Sequence, residues 1–301
     1  MGDKTHIPYV DASWNFLRGC TRKSLGCVNC YAAHISARFS KPGEPYDGLA
    51  EFRDGKPQWS GEVRLIEKHL DDPLKWKKSR VMFVNSMSDT FHESVPDEWL
   101  DEAFDNMERC PDHTFLLFTK RTERMKMYLA NRYPDGVPEH IWPGTTVEHN
   151  DYRFRAQILA EIPAAVRFLS CEPLLGDLDL ENFLERRSPR VPPGEYRPNQ
   201  WKRERLIDWV MVGGESGSHA RPVNPWWVRH IRQQCEKAGA AFWFKQWGEY
   251  APYFKSPLHQ LVDKYEMLKV GTKAAGNMLD GKVYEERPTP RVAHFIFSSI
   301  T

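Results

Sequence analysis

From Arg80 onward, short apolar runs alternate with amphipathic stretches in a regular order. Val81-Met82-Phe83-Val84 is one such run; Asn85-Ser86-Met87-Ser88-Asp89 follows it, then an amphipathic stretch over 97–110. The pattern repeats at 114–118, followed by Thr119-Lys120-Arg121 and a helical period through Met127. It repeats again at 142–147, followed by Glu148 and a helix over about 152–159, and at 166–170, followed by Cys171-Glu172-Pro173. After an insertion, 207–212 runs into Gly213-Gly214-Glu215-Ser216, and a helix over 225–238 leads to a last run, 241–244, ending Lys245-Gln246-Trp247-Gly248. Apolar runs too short for helices, each followed by a 3.6-period stretch, predict parallel β/α units.

The first eighty residues are less regular. A β-like run at 13–17 precedes a helix-compatible stretch at 31–39. Residues 40–60 are rich in Gly, Pro and Asp and read as an excursion, with Trp59-Ser60-Gly61-Glu62 turning a hairpin into 63–66. A helical stretch over 67–78 follows, broken early by Pro73. Counting 13–17 and omitting 63–66 leaves seven strands. The fold class expected is therefore α/β, a partial (β/α)6-7 TIM-like barrel over 1–250 with loop insertions, and a C-terminal extension over 251–301 packing on it.

Strand after strand stops on a polar or ionisable group: Asn85, Ser86 and Asp89; Lys120 and Arg121; Glu148; Glu172; Glu215; Lys245. In a β/α barrel those ends meet at one mouth, where active sites are built. Exposed strand ends are often polar in any case, which accounts for part of the series.

The loop after the first strand, residues 18–31, carries Cys20, Cys27 and Cys30 in a C-x6-C-x2-C spacing, half of the six cysteines within eleven residues. Gly19 and Gly26 each precede a cysteine and let the backbone turn tightly. Three thiolates on a loop between strand and helix point to a metal. Iron–sulfur clusters usually take four thiolates, so three leave one iron open, as a catalytic metal site does. His34 would instead complete a closed Cys3His zinc site, and three buried thiols or a disulfide is the plainer alternative. Cys110 and Cys235 fall in helical stretches and read as inert; Cys171, between Ser170 and Glu172, is a candidate to face the mouth.

Composition narrows the setting. No run reaches the roughly 18–20 apolar residues of a membrane span, and the opening residues carry no apolar signal core. Six cysteines without a disulfide framework fit a reducing cytoplasm. The net charge of +1 leaves any nucleic-acid surface local. One such patch is the insertion 185–205, where Arg186, Arg187, Arg190, Arg197, Lys202 and Arg203 surround Tyr196 and Trp201. Basic groups neutralise phosphates and aromatics stack on bases; a solvated charged loop is the competing reading.

Taken together, GCTRKSLGCVNCYA, FVNSMSDTFHE, TKR, TVE, RFLSCEPLLG, WVMVGGESG-SHARP, FWFKQWG and KAAGNMLDGK resemble a phage-associated three-cysteine family of mostly unknown function, itself similar to radical S-adenosylmethionine (SAM) enzymes. The segments span roughly residues 12 to 282. The resemblance implies a [4Fe–4S] cluster on Cys20, Cys27 and Cys30, SAM on the open iron, an external electron donor, and a 5′-deoxyadenosyl radical that abstracts hydrogen. It implies SAM contacts from Tyr31, Asn85, Ser86, Asp89, Glu148, Gly213, Gly214 and Glu215, and catalytic roles for Glu148, Glu172 and Cys171. The substrate implied is a nucleic-acid base, such as an already modified thymine in phage DNA, and the compartment the host cytoplasm. The usual radical SAM spacing is C-x3-C-x2-C with an aromatic residue before the third cysteine, and a Gly-Gly-Glu motif after the second strand. Here the first gap is six residues, Tyr31 follows Cys30, and Gly213-Gly214-Glu215 comes late. The alternative carried beside this is a non-catalytic nucleic-acid-binding protein with a Cys3His zinc site.

Overall fold

A computed structural model describes residues 5–189, 201–253 and 266–291. Seven strands form one sheet: β1 (Ala12–Trp14), β2 (Val81–Val84), β3 (Thr114–Thr119), β4 (Ile141–Thr146), β5 (Phe168–Cys171), β6 (Trp209–Gly213) and β7 (Ala241–Gln246). Their spatial order is their chain order, and every neighbouring pair is parallel. Crossovers that always step one strand the same way, with the right hand such connections take, put the helices on one face. These are α1 (Tyr31–Arg38), α2 (Asp97–Glu108), α3 (Thr122–Arg132), α4 (Phe154–Ala160) and α5 (Pro225–Ala238). The sheet curls into a half-barrel with its concave face free of helices.

Strand alternation sorts the core into two layers. Phe115 and Leu117 of β3, Val210 and Val212 of β6, and Phe242 and Phe244 of β7 point outward into the helix layer. Their neighbours Leu116, Phe118, Trp209, Met211 and Trp243 point into the concave face, where Tyr9 and Val10 of the N-terminal segment join them. Tyr9 meets Trp209 and Trp243 edge-on with ring centroids 5.9 and 6.1 Å apart, so the N-terminus plugs the middle of the half-barrel. Gly144 of β4 is required for this packing, since a Cβ there would stand 2.0 Å from the Phe168 ring.

The outer edge of β7 is covered by the chain's C-terminal part, through the Trp243–Glu285 bridge and the bond from Phe244 N–H to the Tyr284 carbonyl. An open edge is thereby closed to further pairing.

Two expectations fail in the first eighty residues. The hairpin pairs Ala50–Arg53 with Lys56–Trp59 around Asp54-Gly55, both at positive φ, and Arg64–Leu65 pairs with Leu17–Arg18. Asp-Gly is the stronger two-residue hairpin signal, and it overrides Ser60-Gly61. Over 67–78 there is no α-helix, only the single 3-10 turns Glu67–His69 and Pro73–Lys75. Pro73 has no amide hydrogen to continue a helix, and Trp14 Nε1 takes the His69 carbonyl instead, at 2.7 Å.

Candidate functional site

The strand C-termini and the three-cysteine loop enclose a cavity of about 470 Å³. Its floor is aromatic: Phe83 and Phe118 stack at 3.9 Å between centroids, with Tyr9 beside them. Cys20, Cys27 and Cys30 all line it, as do Asp89, Lys120, Arg121, Glu172 and Lys245 from four different strand ends. Inward positions alternate with outward ones up to the rim. Ser170 and Glu172 therefore face the cavity, whereas Cys171 points outward into the helix-side core with no exposure. Burial pushes its thiol far up. Cys171 is thus corrected from a candidate catalyst to a packed thiol.

Each cysteine has a carboxylate–arginine pair behind it. Behind Cys20, Asp89 accepts from Thr119 Oγ1 at 2.7 Å and from Arg121 Nη1 at 2.9 Å; the same guanidinium reaches Thr21 Oγ1 at 2.6 Å and Cys20 Sγ at 4.0 Å. Behind Cys27, Glu148 accepts from the Ser24 hydroxyl, from Gly26 N–H at 3.3 Å and from Arg155 Nη1 at 3.2 Å. Behind Cys30, Glu215 accepts from Asn29 Nδ2 at 2.9 Å and from Arg221 Nη2 at 2.6 Å. Asp89, Glu148 and Glu215 thus gather around one loop, each paired with an arginine, Arg121 being shared with Glu93, while Glu172 on the cavity wall pairs with Lys245 at 2.6 Å.

Burial raises the Cys20 thiol to about 12; the Asp89 charge adds to this and Arg121 opposes it. Burial also raises Cys30, against the Ala33 and Ala32 amides at the start of α1. Such thiols keep their protons until a cation displaces them. Burial raises Glu215 too, but the bonds from Arg221 and Asn29 outweigh it and hold the carboxyl below its ordinary value.

Other predicted site residues occupy different places. Glu148 is fully buried beneath the loop rather than on the cavity wall, because Ser24 and Gly26 lie over it. Gly213 packs against the Glu172 side chain, and a Cβ on Gly214 would stand 1.9 Å from the Trp247 carbonyl oxygen. The Gly-Gly pair thus lets β6 and β7 exit side by side, and Gly214 contacts backbone rather than the cavity. Asn85 lines the cavity, yet its side chain is spent bonding Leu17 N–H at 3.1 Å and Thr90 Oγ1 at 3.0 Å. Ser86 donates to Asn15 Oδ1 at 3.2 Å, and its carbonyl accepts from the Tyr31 hydroxyl across the rim. His34 packs edge-on against Phe52, 5.4 Å between centroids, and is not among the cavity residues. Among the described residues no group of three or more His, Cys, Asp and Glu is arranged to hold a single metal ion.

The basic insertion folds back as a hairpin, Glu185–Pro189 against Trp201–Arg205. Its base is fixed by Leu206 N–H to the Leu184 carbonyl, and by Arg205 to Asp208 Oδ1 at 2.9 Å and to the Gly239 carbonyl at 2.8 Å. Asp208 immediately precedes β6 and Gly239 stands two residues before β7, so the hairpin is rooted at the end of the barrel opposite the cysteines. Arg186, Arg187, Trp201, Lys202 and Arg203 fall on its strands; Arg190 and Arg197 lie outside the described residues.

A family model described as "Protein of unknown function (DUF5131)" matches residues 4–288. The chain belongs to that family. No curated protein and no solved structure matches it. The DUF5131 match spans the whole half-barrel and its C-terminal cover, so the cysteine loop and the groups behind it belong to one matched unit. Among the described residues no helix is long and apolar enough to cross a membrane.

Sequence reasoning missed Ser24, Asn29, Arg155 and Arg221, which hold the loop, and Tyr9, which closes the cavity floor. Arg155 and Arg221 follow their partners by seven and six residues and sit in ordinary polar patterns. Only Gly26 hinted at a close neighbour: a Cβ there would stand 2.8 Å from Glu148 Oε1.

Proposed function

We propose that this protein is a radical SAM enzyme acting on a nucleic-acid base, with a [4Fe–4S] cluster on Cys20, Cys27 and Cys30. The single observation that carries this is the meeting of three thiols from one loop on the wall of one cavity at the strand C-termini. A lone tetrahedral zinc, with Zn–S near 2.3 Å, needs thiolate sulfurs only about 4 Å apart. Three thiols that share a wall without forming a single-ion site suit a larger inorganic group better. The Cys3His zinc reading needs His34, which lies against Phe52 instead.

Held by Cys20, Cys27 and Cys30 and reduced by an external donor, the cluster would supply one electron to SAM, whose C5′–S bond would break to give a carbon-centred radical and free methionine. The chain's own contribution is positioning and exclusion of water. Phe83, Phe118 and Tyr9 give an aromatic floor, on which a further aromatic ring could stack. Lys245 and Glu172 put one donor and one acceptor beside it. Lys120 has no carboxylate partner among the described residues and brings positive charge toward Cys30. The basic hairpin, rooted at the far end, would hold a polynucleotide backbone away from the reacting base. A phage origin would put this chemistry on phage DNA, in the host cytoplasm.

The test is to incubate anaerobic, reduced protein with SAM and DNA, then analyse both. Release of 5′-deoxyadenosine or methionine, and a nucleoside of altered mass, are expected. Intact SAM in the presence of a demonstrably reduced cluster would overturn the reading.

A further inference from the structure

We infer that the buried carboxylates Glu148 and Glu215 are positioning residues, each gripping one side of the three-cysteine loop while a paired arginine holds the carboxylate in place, and so presenting Cys27 and Cys30 to the cavity. The inference rests on the proposed metal role of the loop only for what the thiols hold; the grip itself is a property of the metal-free chain.

The loop has little structure of its own, since between Cys20 and Cys30 it contains one 3-10 turn, Leu25–Cys27. Beyond the two bonds of that turn, Cys27 N–H to the Ser24 carbonyl and Val28 N–H to the Leu25 carbonyl, the loop is held from outside. Glu148 Oε1 takes both the Ser24 hydroxyl and Gly26 N–H, and the same Ser24 Oγ stands 3.8 Å from Cys27 Sγ. Leu25 N–H donates to the Tyr152 hydroxyl at 3.2 Å, and the Leu25 carbonyl accepts from Arg221 Nη2 at 3.2 Å. Asn29, next to Cys30, donates to Glu215 Oε2 and to the His219 carbonyl at 2.8 Å. The Leu25–Cys27 turn is therefore wedged between residues that follow β4 and residues that follow β6.

Both grips depend on charge. Arg155 is almost fully buried, lies over the Tyr152 ring at 4.4 Å, and has Glu148 as its counter-ion at 3.2 Å. Burying a carboxylate and a guanidinium carries a desolvation cost that a well-packed apolar pair avoids. Maximum stability therefore does not account for the arrangement; orienting the loop does. An amide at position 148 would replace one acceptor oxygen with a donor. With its carbonyl turned to Arg155 it would leave Gly26 N–H without an acceptor; turned the other way it would set a donor against Arg155, which would keep the Thr146 carbonyl at 3.0 Å.

The test uses the metal-free full-length protein under reducing conditions. A short pulse of N-ethylmaleimide is followed by mass spectrometry of each cysteine peptide. Glu148→Gln should raise labelling of Cys27 by at least about tenfold, as expected from the loss of one or two charge-assisted hydrogen bonds that close a local opening. Cys20, held through Arg121, and the core thiols Cys171 and Cys235 should change by less than about twofold. Glu215→Gln should do the same at Cys30, and Ser24→Ala should raise Cys27 by a smaller factor. Labelling that rises equally at all six cysteines, or at none, would overturn the inference. If Glu148→Gln fails to fold, Glu215→Gln decides it alone. A wild-type protein that takes up no iron would sink the proposed function but leave the labelling pattern as a valid test of the grip. Conversely, a Glu148→Gln protein that loads iron and releases it to a chelator at the wild-type rate would refute the grip and spare the proposed function.

Discussion

Gly19 offers a direct way to ask how finely the cysteine loop is fitted. It precedes Cys20, has φ of +91°, and an added Cβ would stand 2.0 Å from the Glu62 carbonyl oxygen. Gly19→Ala therefore carries two costs. A side chain at positive φ costs about 1–2 kcal/mol. Relieving the overlap means moving the Glu62 backbone by about 1 Å, and strain of that kind costs a further 1–3 kcal/mol or so. Gly43 separates the two, because it also has positive φ (+80°) but meets nothing within 4 Å. Gly43→Ala should show the conformational cost alone. In reversible denaturant unfolding Gly19→Ala should lose about 2–5 kcal/mol and Gly43→Ala no more than about 2, with unchanged m-values. Because Gly19 is bonded to Cys20, its replacement should also weaken metal retention, which Gly43→Ala should not. Equal destabilisation by the two substitutions would refute the close-approach argument. An unchanged metal affinity in Gly19→Ala would show that the loop tolerates displacement of its first ligand.

Two further outcomes follow from the cavity. Cys20→Ala, Cys27→Ala and Cys30→Ala should each abolish iron uptake measured after anaerobic reconstitution, while Cys171→Ala, Cys235→Ala and His34→Ala should retain it; full retention in Cys27→Ala would contradict the ligand set. Glu215, held below the ordinary carboxyl range, should add about 1–3 kcal/mol of stability that is complete above roughly pH 4.5 and is lost as the pH falls through its lower folded value. The difference in unfolding free energy between wild type and Glu215→Gln, measured from pH 7 down to pH 3, should accordingly shrink only at the acid end.

The parallel sheet was legible because its strands are continuous apolar runs flanked by helices of clear period. The Pro225–Ala238 helix matches its pattern to the residue, since Asn224 caps it and Gly239 ends it in the left-handed conformation. The convergence of Asp89, Glu172 and Lys245 was legible as well, because strand ends in such a sheet share one side. Facing was harder to read. Ser170, Cys171 and Glu172 are consecutive, and only the register of β5 decides that the middle one turns away. The groups holding the loop were out of reach, since Arg155 and Arg221 acquire their meaning from carboxylates brought close by the folded chain. Likewise, the basic insertion reads as a nucleic-acid contact anywhere on the barrel. Only its root beside Asp208 and Gly239 shows that it stands opposite the cysteines.

The most direct test of the central claim is the metal content and spectrum of anaerobically purified, reconstituted protein. Iron and acid-labile sulfide in equal amounts, a brown chromophore, and a spectral change on adding SAM are the results expected of a three-thiolate cluster with one open iron. Colourless protein containing one zinc per chain and indifferent to SAM would contradict it.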